Sequence, residues 1–184
     1  MMGRLIPPVS ERDHALGPAE ARVTLVEYGD YACPACGEAY PIIKTVQQRL
    51  GAQVRIIFRN FPLSESSPHA RLAAFAAEAA APQGRFWEMH DLLFENQESL
   101  EPDDLIGYAE LLGLDLERFD QDAGSRAVAE RVRADFLGGA RSGVTGTPSF
   151  FINGQRYDGS LAARPLFDAL EAAVAESESW VPWR

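Results

Sequence analysis

The feature that most constrains the fold of this 184-residue chain is a pair of cysteines placed directly after an apolar segment. Residues 23–28 (Val-Thr-Leu-Val-Glu-Tyr) predict a buried strand, and the next four residues turn the chain. Residues 35–50 then predict a helix, which places Cys33 at its N-terminus and Cys36 one turn later. Unpaired backbone N–H groups and the helix dipole favour negative charge there. A thiol at this position ionises more readily, and the thiolate is the form that attacks disulfides.

Other roles for the two cysteines fit the sequence less well. A structural disulfide across so short a span would constrain the unfolded chain very little. A closed zinc site needs four ligands, and the sequence has no third cysteine and no pair of histidines at the usual spacing. Two unconnected buried thiols would leave the strand–turn–helix context unexplained. We therefore expect Cys33 to be a nucleophile and Cys36 a resolving thiol, with no metal and no cofactor beyond a redox-active Cys33–Cys36 disulfide.

Charge and hydropathy limit the partners and the compartment. The net charge is −10, and acidic residues are concentrated between positions 78 and 130, which argues against nucleic acid or an anionic membrane as a partner. No apolar run is long enough to span a membrane, and residues 1–20 lack the pattern of a secretory signal. The sequence therefore predicts a cytoplasmic protein, or a periplasmic or secreted one if a leader has been removed. In a reducing cytosol, paired cysteines are more often catalytic than structural.

The order of the remaining elements predicts the α/β class. A second strand is predicted at 54–58, and two more at 149–152 and 155–157 are joined by an Asn-Gly turn. Helices are predicted at 70–81, 86–96, 105–112, 116–121, 126–141 and 163–175. The first and last parts can form one mixed sheet flanked by helices. The helical middle, residues 64–142, would then be an insertion packed against that sheet.

Three further positions are candidates for chemistry near the cysteines. If the Thr147–Pro148 bond at the start of the third strand is cis, the Thr147 carbonyl and N–H face the Cys33 sulfur, where a partner peptide could pair with them. Glu27 lies in an apolar strand, so its carboxylate could be partly buried beneath the motif and exchange a proton with Cys36 through water. The alternative for Glu27 is a strand end facing solvent. His90 fits a packed helix residue better than a proton carrier.

Taken together, the Cys-Pro-Ala-Cys motif at 33–36, the Gly-Thr-Pro strand, the hairpin and the helical middle resemble the DsbA-type branch of the thioredoxin superfamily. The resemblance runs from about residue 16 to 175. Residues 17–28 are similar to the lead-in of that branch, and residues 83–94 to a helix of its insertion. It implies a thioredoxin-like domain at 16–63 and 143–176, and an inserted helical domain at 64–142. An N-terminal extension at 1–15 and a tail at 177–184 complete the division.

The resemblance also implies a role for each matching residue. Cys33 would be the attacking thiol and Cys36 the buried resolving one, with Pro34 and Ala35 between them. Thr147 and Pro148 would be the cis-proline pair that faces the disulfide, and Glu27 the acid beneath the active site. Ala35 stands where the strongest oxidants of the family have a histidine. We therefore expect a higher Cys33 pKa and a less oxidising couple than those proteins have.

These observations predict a thiol–disulfide oxidoreductase that exchanges disulfides with protein dithiols through a mixed disulfide. Its substrates would be proteins, and thioredoxin, glutathione or a membrane oxidase would recycle it. One alternative is a redox-inactive interaction module that uses the acidic helical face. A second is a glutathione-dependent isomerase or transferase, against which the intact Cys33 and Cys36 count, because the members it resembles usually carry serine in place of the catalytic thiol.

Overall fold

A five-stranded mixed sheet lies at the centre of the protein. The structure, a computed structural model, describes residues 3–63 and 67–179. The strand order is β1-β3-β2-β4-β5, with β2 and β3 parallel and the other neighbours antiparallel. The strands are β1 (His14–Leu16), β2 (Val23–Gly29), β3 (Val54–Asn60), β4 (Ser149–Ile152) and β5 (Gln155–Tyr157). This sheet and the helices around it confirm the predicted α/β class.

Seven α-helices surround the sheet within the described part of the chain. They are α1 (Pro34–Leu50), α2 (Ala70–Ala80), α3 (Phe86–Glu95), α4 (Pro102–Leu111), α5 (Leu116–Ala123), α6 (Arg126–Arg141) and α7 (Ala163–Ser179). Helices α1 and α7 contact each other and cover one face of the sheet, where α1 packs on β3 and α7 on β2. None of the described helices is both long enough and apolar enough to cross a membrane.

The two central strands are buried along nearly their whole length because both of their faces are covered. Successive side chains of a strand point to opposite faces. Leu25 belongs to the apolar cluster beneath α1 and α7, whereas Val26 and Tyr28 belong to the cluster on the other face. This alternation directs Glu27 toward the same face as Leu25, the side from which α1 begins.

The helical segment shares a core with the end of the sheet from which the cysteine loop leaves. Its apolar residues from α2 to α5 form one cluster that also contains Tyr31, Cys36 and Phe58. Residues of this segment therefore pack directly against the loop that carries the cysteines. This core joins residues from both of the predicted domains, 16–63 with 143–176 and 64–142. The division of the chain into two domains stays a prediction.

The N-terminal residues contact both edges of the sheet, which was not predicted. Strand β1 lies within and beside residues 1–15, which were expected to be an extension, and it pairs antiparallel with β3. At the opposite edge, beside β5, the Leu5 N–H donates to the Gly154 carbonyl at 2.9 Å, and the Arg156 N–H donates to the Gly3 carbonyl at 2.9 Å. At the other end, α7 continues through residues 177–179 of the predicted tail. The rest of that tail, 180–184, lies outside the described residues.

Candidate active site

The start of helix α1 follows from the residues of the cysteine motif. Strand β2 ends at Gly29, and Cys33 caps α1 with an extended backbone (φ −86°, ψ 119°). A residue before proline prefers this conformation, and Pro34 is tolerated in the first turn because no helical carbonyl needs its missing N–H. The Cys33 carbonyl accepts hydrogen bonds from the Cys36 N–H at 3.0 Å and the Gly37 N–H at 3.1 Å. The motif therefore fixes its first cysteine at the helix N-terminus.

The two thiols differ sharply in their access to solvent. Cys33 is half-buried, whereas Cys36 is 0% exposed, and both are free thiols in this structure. The Asp30 N–H lies 3.5 Å from the Cys36 sulfur and donates to it. A disulfide from outside can therefore reach Cys33, while Cys36 reacts only with a group already held at Cys33.

The surroundings of the two sulfurs also separate their acidities. Hydrogen bonding from the Cys36 thiol is the largest cause that lowers the pKa of Cys33, which falls to about 5 although partial burial opposes the change. The Thr147 side chain and the backbone N–H groups of Cys36 and Ala35 lower it further. The hydrogen bond between the Cys36 thiol and Cys33, then burial, and then the negative charge of Glu27 raise the pKa of Cys36 far above its usual value. The helix N-terminus contributes as predicted, but the neighbouring thiol contributes more.

Thr147 lies beside the exposed sulfur although it is far away in sequence. The Thr147–Pro148 peptide bond is cis, and β4 begins at the next residue. In the thiol form, Cys33 Sγ donates to the Thr147 carbonyl at 3.4 Å. The Thr147 hydroxyl is buried and has no hydrogen-bond partner among the described residues. When Cys33 ionises, its sulfur can accept from that hydroxyl, which explains why Thr147 lowers the pKa of Cys33.

Glu27 is buried beneath the motif, so the alternative of a solvent-facing strand end is wrong. Its side chain is only 4% exposed, and Oε1 has no hydrogen-bond partner among the described residues. Burial, and then the negative charge of Cys33, raise the pKa of Glu27 to about 8. A cavity of about 80 Å³ adjoins it, with Lys44, Asp91 and His90 among the lining residues. The lining is mostly apolar, but the cavity is large enough to hold water, and these side chains supply polar partners for it.

Two residues that brace the cysteine loop were missed by the sequence analysis. Asp30 accepts hydrogen bonds from the Ala32 N–H at 2.9 Å and the Leu63 N–H at 2.8 Å. Its position in a turn directly after a strand is a recognisable signal for such capping. Gln97, between α3 and α4, donates from Nε2 to the Cys33 carbonyl at 2.8 Å. No local pattern indicates a contact between residues so distant in sequence.

His90 is packed as expected and stays neutral. It is buried among aromatic rings, and its Nδ1 lies 3.1 Å from the Tyr31 hydroxyl. Burial, and then the positive charge of Lys44, lower the pKa of His90 to about 3. Within residues 3–63 and 67–179, no group of three or more His, Cys, Asp and Glu side chains is arranged to hold a metal ion.

Comparison with known proteins places this site in a family. A family model described as thioredoxin matches residues 9–172. The chain belongs to the thioredoxin family. Within it, the fold is that of the DsbA-like oxidoreductases. Oxidised BdbD from Bacillus subtilis superposes with a TM-score of 0.81 over 95% of this chain and 97% of that one, at 25% identity. A thioredoxin-like oxidoreductase from Silicibacter pomeroyi DSS-3 gives a TM-score of 0.80 over 94% and 95% of the two chains, at 26% identity.

The fold is also shared with proteins that are more distant in sequence. Wolbachia pipientis α-DsbA1 is 20% identical and superposes with a TM-score of 0.80. The match covers 95% of this chain and 96% of α-DsbA1. Among curated proteins, the Na⁺/H⁺ antiporter NhaA 1 of Salinispora arenicola (strain CNS-205) is 47% identical over 171 residues. That match covers 93% of this chain and 26% of the antiporter. The chain thus spans about a quarter of the length of the curated relatives it matches.

Proposed function

We propose that this chain is a protein thiol–disulfide oxidoreductase that works through Cys33 and Cys36. The observation that carries the proposal is the asymmetry of the two thiols. Cys33 is accessible and has its pKa lowered to about 5, whereas Cys36 is buried one turn away with its pKa raised. A nucleophile that is ionised near neutral pH, next to a protonated thiol, is what disulfide exchange requires.

The reaction proceeds in two exchanges. The Cys33 thiolate attacks one sulfur of a substrate disulfide, so a Cys33–substrate bond forms and the second substrate sulfur leaves and takes up a proton. Cys36 then loses its proton and attacks Cys33 Sγ. The Cys33–Cys36 bond forms and the first substrate sulfur is released, so two electrons have passed to the substrate and the cysteine pair is oxidised. Run in reverse, the same steps oxidise a protein dithiol.

Glu27 and the Thr147–Pro148 segment serve these steps in different ways. The pKa of Glu27, about 8, suits a group that exchanges a proton with Cys36 near neutral pH, with water in the adjoining cavity as the carrier. The backbone of Thr147, at the start of a strand and beside Cys33 Sγ, is placed to pair with an extended substrate segment. No cofactor other than the Cys33–Cys36 disulfide enters the proposal.

The proposed substrates are protein dithiols or disulfides, recycled by thioredoxin, glutathione or a membrane oxidase. Ala35, in place of histidine, favours a couple that is less oxidising than the strongest of the family. Measurement of the potential against glutathione determines the direction. Mass spectrometry of the redox state in cells tests the predicted cytoplasmic location, because a pair held mostly oxidised contradicts a reducing compartment.

The decisive experiment measures reduction of insulin disulfides by the wild type, by Cys33→Ser and by Cys36→Ala. We expect Cys33→Ser to abolish activity, and Cys36→Ala to accumulate a mixed disulfide with substrate because the second exchange is missing. Ser177→Ala, near the end of α7, serves as the control for loss of a hydroxyl-sized group far from the cysteine motif. Equal rates for the wild type and Cys33→Ser would overturn the proposal and leave an interaction module.

A second candidate function follows from the names of the curated relatives and from the small part of each that this chain matches. Their matched region forms about a quarter of proteins named Na⁺/H⁺ antiporters. This favours a role as a module that acts on a membrane transport protein. Covalent trapping with Cys36→Ala in isolated membranes tests it, because the mixed disulfide would contain an antiporter-type protein. Capture of soluble proteins alone would count against this candidate. A glutathione-dependent transferase has no comparable support.

A further inference from the structure

Gln97 holds the loop that carries the exposed cysteine from outside the sheet. It lies between α3 and α4, in the helical segment. Its Nε2 group donates one hydrogen bond to the Tyr31 carbonyl and one to the Cys33 carbonyl, both at 2.8 Å. The two acceptors stand on either side of Ala32. A single amide group therefore spans the loop and ties it to the helical segment.

The bond to Cys33 acts at the point where α1 begins. The Cys33 carbonyl also accepts from the N–H groups of Cys36 and Gly37, which form the first turn of the helix. The additional donor, Gln97, fixes the plane of the peptide that follows Cys33. That peptide plane sets the direction of the Cys33 backbone, and with it the position of Sγ near the Thr147 carbonyl.

Gly37 provides the space that the Gln97 amide occupies. A Cβ atom at Gly37 would lie 2.0 Å from Gln97 Oε1 and 2.7 Å from its Cδ atom, far inside van der Waals contact. Gly37 lies in α1, and its φ is not in the left-handed region that favours glycine. Glycine inside a helix costs about 1 kcal/mol relative to alanine. The space that the Gln97 amide occupies gives a physical reason for glycine at position 37, although glycine is unfavourable inside a helix.

We propose that Gln97 is a positioning residue for the Cys33 nucleophile, seated against Gly37 and acting through the Tyr31 and Cys33 carbonyls. The inference rests on the proposed function and adds to it a control exerted by the helical segment. Without the amide, the loop loses two hydrogen bonds and the sulfur loses its fixed position relative to its donors. The thiolate is then less stabilised, the pKa of Cys33 rises, and the couple becomes less oxidising.

The test combines Gln97→Ala, Gly37→Ala and the double variant. The pKa of Cys33 is followed by the ultraviolet absorbance of the thiolate against pH, and the redox equilibrium is measured with glutathione. We expect Gln97→Ala to lower the acid dissociation constant of Cys33 and to shift the glutathione equilibrium toward the disulfide, each by roughly three- to tenfold. This is about the net worth of one hydrogen bond, because the two lost bonds act on the sulfur only through its position. Gly37→Ala should have a similar effect because its methyl group displaces the amide. The double variant should be no worse than Gln97→Ala alone.

Two matched controls separate this role from a general effect on the fold. Gly107→Ala also replaces a helical glycine, but its Cβ would meet nothing within 4 Å. Gln121→Ala removes an exposed glutamine from α5. Both should leave the titration of Cys33 unchanged. An unchanged titration in Gln97→Ala, or additive effects of Gln97→Ala and Gly37→Ala, would overturn the inference. Because the titration does not depend on turnover, a wild type that fails to exchange disulfides would refute the proposed function alone.

Discussion

Glu27 illustrates how one residue can serve the site at the expense of stability. A carboxylate in an apolar strand, without a hydrogen-bond partner for Oε1 among the described residues, is costly to ionise. The same burial raises its pKa to about 8, which makes it a group that can exchange protons near neutral pH. The property that would make Glu27 useful to Cys36 therefore also destabilises the folded protein at higher pH.

We expect Glu27→Gln to stabilise the protein above neutral pH. In the unfolded chain the carboxyl ionises near its usual value of 4.5, whereas in the folded protein it stays protonated to about 8. The folded state thus binds the extra proton between these values, and the stability of the wild type falls as the pH rises through that window. Urea unfolding at about pH 9 should show a gain of about 4 to 5 kcal/mol for the variant, and little gain at about pH 4.

A control for this measurement is Glu171→Gln, which removes a negative charge from an exposed position of α7. It should change the unfolding free energy by less than about 0.5 kcal/mol throughout. In Glu27→Gln, the rate at which Cys36 resolves a mixed disulfide should fall at the same time. A gain in stability that is independent of pH would show that Glu27 does not titrate in this window.

At the scale of elements, the strands and helices with strong patterns were predictable and the N-terminal edge was not. Strands β2 and β3 are apolar runs covered on both faces, so composition alone marks them. Strand β1 has only three residues and no alternation that separates it from a loop. Its place is fixed instead by pairing with β3 and by Arg59, contacts between distant residues that leave no local signal.

The ion pair between Asp13 and Arg59 fastens this edge. Both side chains are 3% exposed, and Arg59 donates to the two carboxylate oxygens at 2.7 Å and 3.0 Å. It also donates to the Pro7 carbonyl and the Tyr28 hydroxyl, each at 2.9 Å. The N-terminal segment is thus held to β3 through one buried guanidinium group. Removal of either partner leaves the other charge buried without compensation.

We expect Asp13→Ala to destabilise the protein by about 3 kcal/mol and to expose the N-terminal segment to proteases. Urea unfolding midpoints and limited proteolysis measure the two effects. Asp168→Ala, which breaks the exposed pair with Arg164 on α7, is the matched control and should cost no more than about 0.5 kcal/mol. Equal losses in the two variants would show that the buried pair does not hold this edge.

At the scale of the whole molecule, the sequence indicated which residues meet at the site better than what holds them there. Cys33 and Cys36 are close in sequence, and Thr147 was expected beside Cys33 on the condition of a cis Thr147–Pro148 bond and from the family resemblance. Gln97 and Asp30 each make two hydrogen bonds to the backbone, and those of Gln97 depend on packing of the helical segment against the loop. The turn position of Asp30 marks it as a capping residue, but the contacts of Gln97 arise only once the fold is complete, so no spacing in the sequence predicts them.

The ionisation of Cys33 couples the redox chemistry to the stability of the whole chain. The pKa of the thiol is near 9 when unfolded and about 5 when folded, so the folded state releases its proton first. Stability from this group is fully present above about pH 9 and is lost as the pH falls through about 5. By the same thermodynamic cycle, whatever stabilises the reduced protein relative to the disulfide form makes the couple more oxidising.

We therefore expect the reduced wild type to gain stability relative to Cys33→Ser as the pH rises from about 5 to about 9. Because Cys33 is partly open to solvent, the gain at pH 7 should be only about 1 kcal/mol. Urea unfolding of both proteins under a reductant gives the difference, in which the titration of Glu27 largely cancels. The glutathione equilibrium should change in parallel over the same range. A constant difference would mean that Cys33 remains a neutral thiol in the folded protein, which would contradict the proposed nucleophile.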